Sequence, residues 1–154
     1  MKNPKRIIIG LLVLLAVQTI AIAGSKKPVA LSGYDVVSYF TRKKATKGKS
    51  KIQALYNGYF WNFSSSKHKK LFEKNPNRYI PRYGGHCAWA MAEKNELVES
   101  SPDDFTIFDD RLYLNYNKNV AKKFNSNIKT MIKKADQNWH TMSEKKVLLR
   151  VRKP

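Results

Sequence analysis

The chain has 154 residues, of which 42% are hydrophobic and 12% are aromatic, and this composition excludes an intrinsically disordered protein. Thirty lysine and arginine residues against 11 acidic residues give a formal net charge of +19. A single cysteine excludes a disulfide within one chain, so burial of apolar side chains has to stabilise the fold.

The N-terminus has the pattern of an export signal. Basic residues precede an apolar run from Ile7 to Val17, and Ala21-Ile22-Ala23 follows as a small-x-small cleavage site. We therefore expect a signal peptide over residues 1–23, a mature chain that begins at Gly24, and a periplasmic or extracellular protein. The alternative is an uncleaved membrane anchor, for which the run is short of the ~20 residues that a spanning helix needs.

The charge of the mature protein indicates an anionic neighbour. Cleavage would remove three positive residues and leave a net charge of +16. For an exported protein, we expect that neighbour to be an anionic envelope surface or a protein partner and not nucleic acid. The alternative is a solvated basic surface that binds nothing specific.

The first part of the mature chain predicts a linker and a β-hairpin. Residues 24–30 are expected to form the linker. An apolar, β-branched stretch runs from Val29, near the end of the linker, to Phe40, with a turn at Ser32-Gly33. Short strands are predicted at Ile52–Tyr56 and Tyr59–Phe63, because Asn57-Gly58 between them is a strong hairpin signal.

Two helices should follow this hairpin. Ser64 or Ser65 can cap the first, Leu71 and Phe72 supply its buried side, and Asn75-Pro76 ends it. A glycine hinge at Gly84-Gly85 then precedes a short helix from Cys87 to Glu93.

The remaining sequence predicts a second hairpin and a last helix. Thr106–Phe108 and Leu112–Leu114 flank Asp109-Asp110, and Asn117 or Asn119 can cap a helix that fades over Asp136 to Trp139. The predicted fold is a small, single α+β domain over residues 31–142, with a frayed basic tail over 143–154. We detect no internal repeat beyond the two hairpins.

Several of these segments resemble a known family. The aromatic strand from Tyr59, the serine-started helix that reaches Phe72, and the sequence Asn75-Pro76 followed by Tyr79 look like the core of a YHS domain. The resemblance implies a YHS-like core for this domain.

The wider chain is similar to the exported YHS-domain (seleno)proteins. Four further segments carry this resemblance, and the match extends from Leu31 to about Met142. They are Gly33–Phe40, Tyr83–Cys87, Leu112–Tyr116 and Ala135–Trp139.

The resemblance also identifies a candidate site. Metal-binding YHS domains have cysteines where this chain has Ser38, Ser64 and approximately His68, so that thiolate set is absent. Some members of the exported branch carry selenocysteine at the position of Cys87. This substitution implies redox or soft-metal chemistry at Cys87.

The residues around Cys87 are compatible with that chemistry. Gly84-Gly85 permits a sharp turn, and a cysteine in the first helical turn gains from the helix dipole and from Arg82, which favours the thiolate. Cys87 would be the catalytic or metal-binding residue, with His86 and His68 as candidate ligands of copper or another soft transition metal. The alternatives are a buried Cys87, an incidental His86 and a solvent-exposed His68.

Three functions remain open from the sequence. The first is an exported accessory domain that binds a metal or handles thiols through Cys87. The second is a thiol oxidoreductase, which would need a partner thiol because the chain has no resolving cysteine. The third is a non-catalytic basic interaction domain that docks on an anionic surface or partner.

Overall fold

The structure is a computed structural model that describes residues 27–151, with side chains through residue 142. It is a small α+β domain with two β-hairpins and several short helices, as predicted. The predicted signal peptide lies outside the described residues. Within the described part of the chain, no helix is long and apolar enough to cross a membrane.

The first hairpin is confirmed. Strands β1 (Lys49–Tyr56) and β2 (Tyr59–Phe63) pair antiparallel, and Asn57 and Gly58 between them have φ angles of 49° and 82°. Both turn residues need a positive φ in the tight turn that matches the twist of the strands, and asparagine and glycine tolerate it.

The apolar stretch before the hairpin forms a helix. Helix α1 (Val36–Thr41) follows a 3-10 turn at Ala30–Gly33. Its β-branched residues do not extend into a strand, because the Asp35 side chain accepts a hydrogen bond of 3.0 Å from Val37 N and caps the helix.

The helix after the hairpin is α2 (Ser66–Lys74), and Ser65 caps it, as predicted. Phe72 is 1% exposed and packs against Trp61 and Phe63, whose ring centroids lie 5.3 and 5.2 Å from its own. Asn75-Pro76 ends α2, but the proline immediately begins the short helix α3 (Pro76–Tyr79), since proline suits a first helical position.

The second half begins with a 3-10 turn at Arg82–Gly85 and helix α4 (Ala88–Lys94). Strands β3 (Ser101–Phe108) and β4 (Arg111–Asn115) then form the predicted second hairpin.

The predicted last helix is in fact two helices. Asn117 caps α5 (Lys118–Ser126). The helix is interrupted at Asn127, and α6 (Ile128–Val151) begins at the next residue. The prediction that helical structure fades by Trp139 was wrong, because α6 continues to Val151.

The two halves repeat one architecture with a constant offset. β1 begins at Lys49 and β3 begins 52 residues later at Ser101, and the same offset separates the starts of α2 and α5. The strand registers also correspond: Lys49 pairs with Phe63 and Ser101 with Asn115, and a bulge follows each pair. The expectation that no repeat exists beyond the hairpins was therefore wrong.

A shared core joins the two repeats. Tyr39 of the first repeat is fully buried against Leu112 and Leu114 of the second, and its hydroxyl donates to Pro102 O at 3.0 Å. Burial raises the pKa of Tyr39, with the nearby carboxylate of Asp103 adding to the effect. The repeats consequently pack as one unit.

Candidate functional site

Cys87 lies at the N-cap of α4, one residue before the predicted helical position, and is 1% exposed. Its backbone N–H donates to Val98 O at 2.9 Å, and its carbonyl accepts from Met91 N at 3.0 Å. The thiol lies 3.9 Å from Asn115 Oδ1, at the outer limit of a weak S–H hydrogen bond. The alternative of a buried cysteine therefore agrees with the structure.

The Cys87 side chain borders a cavity of about 220 Å³. Its other walls are mostly apolar or aromatic, and Lys94 is the one charged residue among them. They are Trp89, Ala90, Lys94, Val98, Tyr116 and Val120. Cys87 thus lies between this mostly apolar cavity and the side-chain amide of Asn115.

The first repeat has a carboxylate at the position that corresponds to Cys87. Asp35 is fully buried and accepts four hydrogen bonds, whereas Cys87 makes no side-chain cap. Its donors are Val37 N at 3.0 Å, Ser64 N at 2.8 Å, Ser64 Oγ at 2.6 Å and His68 Nδ1 at 2.7 Å. In the second repeat, Tyr116 and Val120 occupy the places of Ser64 and His68, so this polar network belongs to the first repeat alone.

His68 is buried and links two helices. Its Nδ1 bonds to Asp35, and its Nε2 lies 3.2 Å from Thr41 Oγ1 at the end of α1. The side chain is 8% exposed, although its neighbours in sequence are lysines, so the alternative of a solvent-exposed His68 was wrong. These contacts fasten α2 to α1.

His86 and Arg82 bond to groups other than Cys87. His86 Nδ1 lies 3.0 Å from Tyr83 O, and because a carbonyl only accepts, Nδ1 carries a proton. Arg82 Nη2 lies 2.7 Å from Asp136 Oδ1. Burial opposes the charge of Arg82, but its hydrogen bond and ion pair with Asp136 outweigh burial and raise its pKa. We expected Arg82 to favour the thiolate of Cys87, but Asp136 is its ionic partner.

Tyr83 shares that carboxylate. Its hydroxyl donates to Asp136 Oδ1 at 3.0 Å, and its ring packs beside Trp139 of α6 with centroids 6.0 Å apart. Burial raises the pKa of Tyr83, and the negative charge of Asp136 raises it further. Asp136 thereby joins α6 to the glycine hinge.

The three candidate ligands do not fit one metal centre within a chain. Cys87 is buried beside Asn115, His68 bonds to Asp35, and His86 bonds to Tyr83. Across residues 27–142, no group of three or more His, Cys, Asp and Glu side chains is arranged to hold a metal ion.

The basic charge is concentrated in the first repeat. Residues 30–81 contain eleven basic and two acidic residues, whereas the corresponding residues 82–133 contain eight basic and seven acidic residues. Six exposed cations define what we call the basic face. They are Arg42, Lys43 and Lys44 after α1, and Lys67, Lys70 and Lys74 on α2.

The buried network holds α1 against α2, and the two groups of cations are carried by α2 and by the turn after α1. The contact between Thr41 and His68 places the turn that begins at Arg42 beside the first turn of α2. Lys67, Lys70 and Lys74 follow one another at helical spacing and border a shallow depression with Leu71. Within the described part of the chain, none of the six cations has a carboxylate partner.

Sequence reasoning missed Asp35 and the basic face. An aspartate directly before an apolar run is a cap signal, and it was readable at Asp35. The proximity of Arg42 to α2 depends on tertiary packing, and no short-range pattern reports it.

Comparison with known proteins identifies no relative: no family model, curated protein or solved structure matches the chain.

Proposed function

We propose that this chain is an exported, non-catalytic docking domain with a YHS-like core, which binds an anionic surface of the cell envelope through its basic face. The main support is the concentration on one repeat of cations that no carboxylate among the described residues neutralises. The order of β2, α2 and the Asn75-Pro76 break is compatible with the YHS-like core.

Comparison of the two repeats shows which lysines of the basic face the fold does not require. Positions 44, 67 and 74 correspond to Glu96, Asn119 and Ser126, which occupy the same places in the same backbone architecture. The fold therefore does not need lysine at these positions. A cluster of like charges that folding does not require is a candidate surface for binding an oppositely charged partner.

Co-sedimentation with vesicles tests the proposal. The mature protein should pellet with phosphatidylglycerol-containing vesicles at low ionic strength and remain soluble with pure phosphatidylcholine. High salt should release it, because exposed charges are screened within about 10 Å at 0.1 M salt. Binding that ignores salt, or no binding at low salt, contradicts the proposal.

A thiol-based function is the second candidate. Cys87 borders a cavity, and the neighbouring Asn115, which is fully buried, has a side-chain Nδ2 that finds no hydrogen-bond partner among the described residues. An amide left without a partner is costly, and a thiolate or a bound group could accept from it. Rapid alkylation of Cys87 in the native protein would favour this candidate.

A further inference from the structure

A groove runs along the junction of the two repeats. Two depressions of about 490 and 380 Å³ share a wall that Asn57, Ile80, Pro81, Gly84 and Trp139 form. Either volume lies within the range of small-molecule sites, which is ~300–1,000 Å³.

One part of the groove is mostly apolar, and aromatic rings contribute to its wall. Tyr59, Trp61 and Trp139 border it, together with the imidazole of His86. Tyr59 is 47% exposed, and the neighbouring Val29 is 45% exposed, so the groove has an open apolar rim. Flat aromatic rings pack well against such walls.

The other part of the groove is cationic. Arg82 and Arg111 both border it, but the charge of Arg82 is already matched by Asp136. Arg111 uses Nη1 to donate to Asn77 O at 3.1 Å, and no carboxylate in the described part of the chain pairs with it. Its guanidinium can therefore accept an acidic partner from outside.

Gly84 keeps the middle of the groove open. Its φ is +62°, and a Cβ atom there would come within 3.4 Å of both Trp139 and His86. The corresponding residue of the first repeat is Ser32, with a φ of 48°, so this kind of turn tolerates a non-glycine residue, although a positive φ strains its backbone. A side chain at position 84 would therefore occupy the space between His86 and Trp139 in the middle of the groove.

We propose that this groove binds a small, flat aromatic molecule with one acidic group, whose rings lie between the aromatic walls and whose acid pairs with Arg111. Charge complementarity selects an anion, and the unfilled space at Gly84 lets the rings approach Trp139. This site is separate from the basic face, and neither proposal depends on the other.

The test compares two fluorescent probes that differ in charge. 1-Anilinonaphthalene-8-sulfonate carries an acidic group on an aromatic frame, and N-phenyl-1-naphthylamine has the same frame without it. Titration with excitation of the three tryptophans reports probe binding by energy transfer, and it does not by itself distinguish the groove from the surroundings of Trp89. The sulfonate should bind about tenfold more tightly than the neutral probe, the size of effect expected for one charged hydrogen-bonded contact.

Variants locate the bound probe. Arg111→Gln should weaken the sulfonate about tenfold and leave the neutral probe unchanged. Gly84→Asn, which tolerates a positive φ, should weaken both probes by filling the groove. Tyr59→Ala should also weaken both, whereas Tyr116→Ala, which removes a somewhat more exposed tyrosine outside the groove, should change neither.

Two controls establish that the probe occupies the groove of a folded protein. The triple variant Lys67→Gln, Lys70→Gln, Lys74→Gln should bind the sulfonate as the parent does, because the basic face is not part of the groove. Unfolding midpoints within error of the parent establish that each variant is folded. Absence of sulfonate binding, or binding that Gly84→Asn and Arg111→Gln leave unchanged in folded protein, overturns the proposal.

Discussion

The Asp35 carboxylate stabilises the first repeat through its four buried hydrogen bonds. Asp35→Ala should lower the free energy of unfolding by ~3–5 kcal/mol, because it leaves His68 and two backbone N–H groups without their acceptor. Urea denaturation of both proteins measures the loss. Asp103→Ala, at an exposed position, should change the free energy by less than ~0.5 kcal/mol. A similarly small effect of Asp35→Ala would contradict the role assigned to this network.

Cys87 should be protected from alkylation in the native protein. Because its side chain is buried, maleimide should react slowly under native conditions and rapidly in denaturant. Mass spectrometry over time distinguishes the two states, and Cys87→Ser should eliminate the reaction in both. Fast labelling of the native thiol would instead support the thiol-based candidate.

At the level of elements, the corresponding helices α2 and α5 each bury one phenylalanine. Phe72 is 1% exposed and Phe124 is fully buried, and they occupy the same position in the two repeats. Phe72→Ala and Phe124→Ala should each lower the free energy of unfolding by ~3–5 kcal/mol, as the loss of a buried aromatic ring does. A loss below ~1 kcal/mol in denaturant unfolding would mean that the helix face does not pack as described.

Local signals predicted the hairpins and most helix caps. Asn57-Gly58 and Ser65 act through their immediate neighbours, so the sequence contains their full physical cause. The split between α5 and α6 was harder to predict, because the apolar spacing continues across Asn127 and no proline marks the interruption. Met142, past the predicted end of the helix, still packs against the core of the second repeat, and this contact was not predictable from the local pattern.

The repeat was not detected from the sequence, because the two halves have the same order of helices and strands but few identical residues at corresponding positions. Gly33 and Gly85 correspond, as do Phe72 and Phe124, yet Asp35 corresponds to Cys87. In the predicted site, the glycine hinge placed Cys87 at the start of a helix, and the structure has it one residue earlier, at the N-cap. The bonds of His68 to Asp35 and Thr41 were not predictable, since they join residues about thirty positions apart.

On the scale of the whole molecule, buried tyrosines predict a loss of stability at high pH. The pKa values of Tyr39 and Tyr83 are raised, chiefly by burial, above the ~10 of an unfolded chain. Their contribution is therefore complete below about pH 10 and is lost as the pH rises through the folded values. The free energy of unfolding, measured in urea, should fall above about pH 10.

Tyr83→Phe isolates this effect from the titration of the lysines. The variant loses the hydrogen bond to Asp136 at every pH, but its free energy of unfolding should fall less steeply above about pH 10 than that of the parent. Equal slopes in the two proteins would show that Tyr83 does not contribute to the alkaline loss.

The uneven charge of the two repeats supplies the most direct test of the docking proposal. The measurement is the affinity for phosphatidylglycerol vesicles of two triple variants with equal net charge. Lys67→Gln, Lys70→Gln, Lys74→Gln changes the basic face, and Lys118→Gln, Lys122→Gln, Lys129→Gln changes exposed lysines of the second repeat. At about 1 kcal/mol for each lysine near the surface, the first should weaken binding on the order of 100-fold, and the second should have little effect. Equal weakening by both would mean that only total charge matters and would contradict a specific basic face.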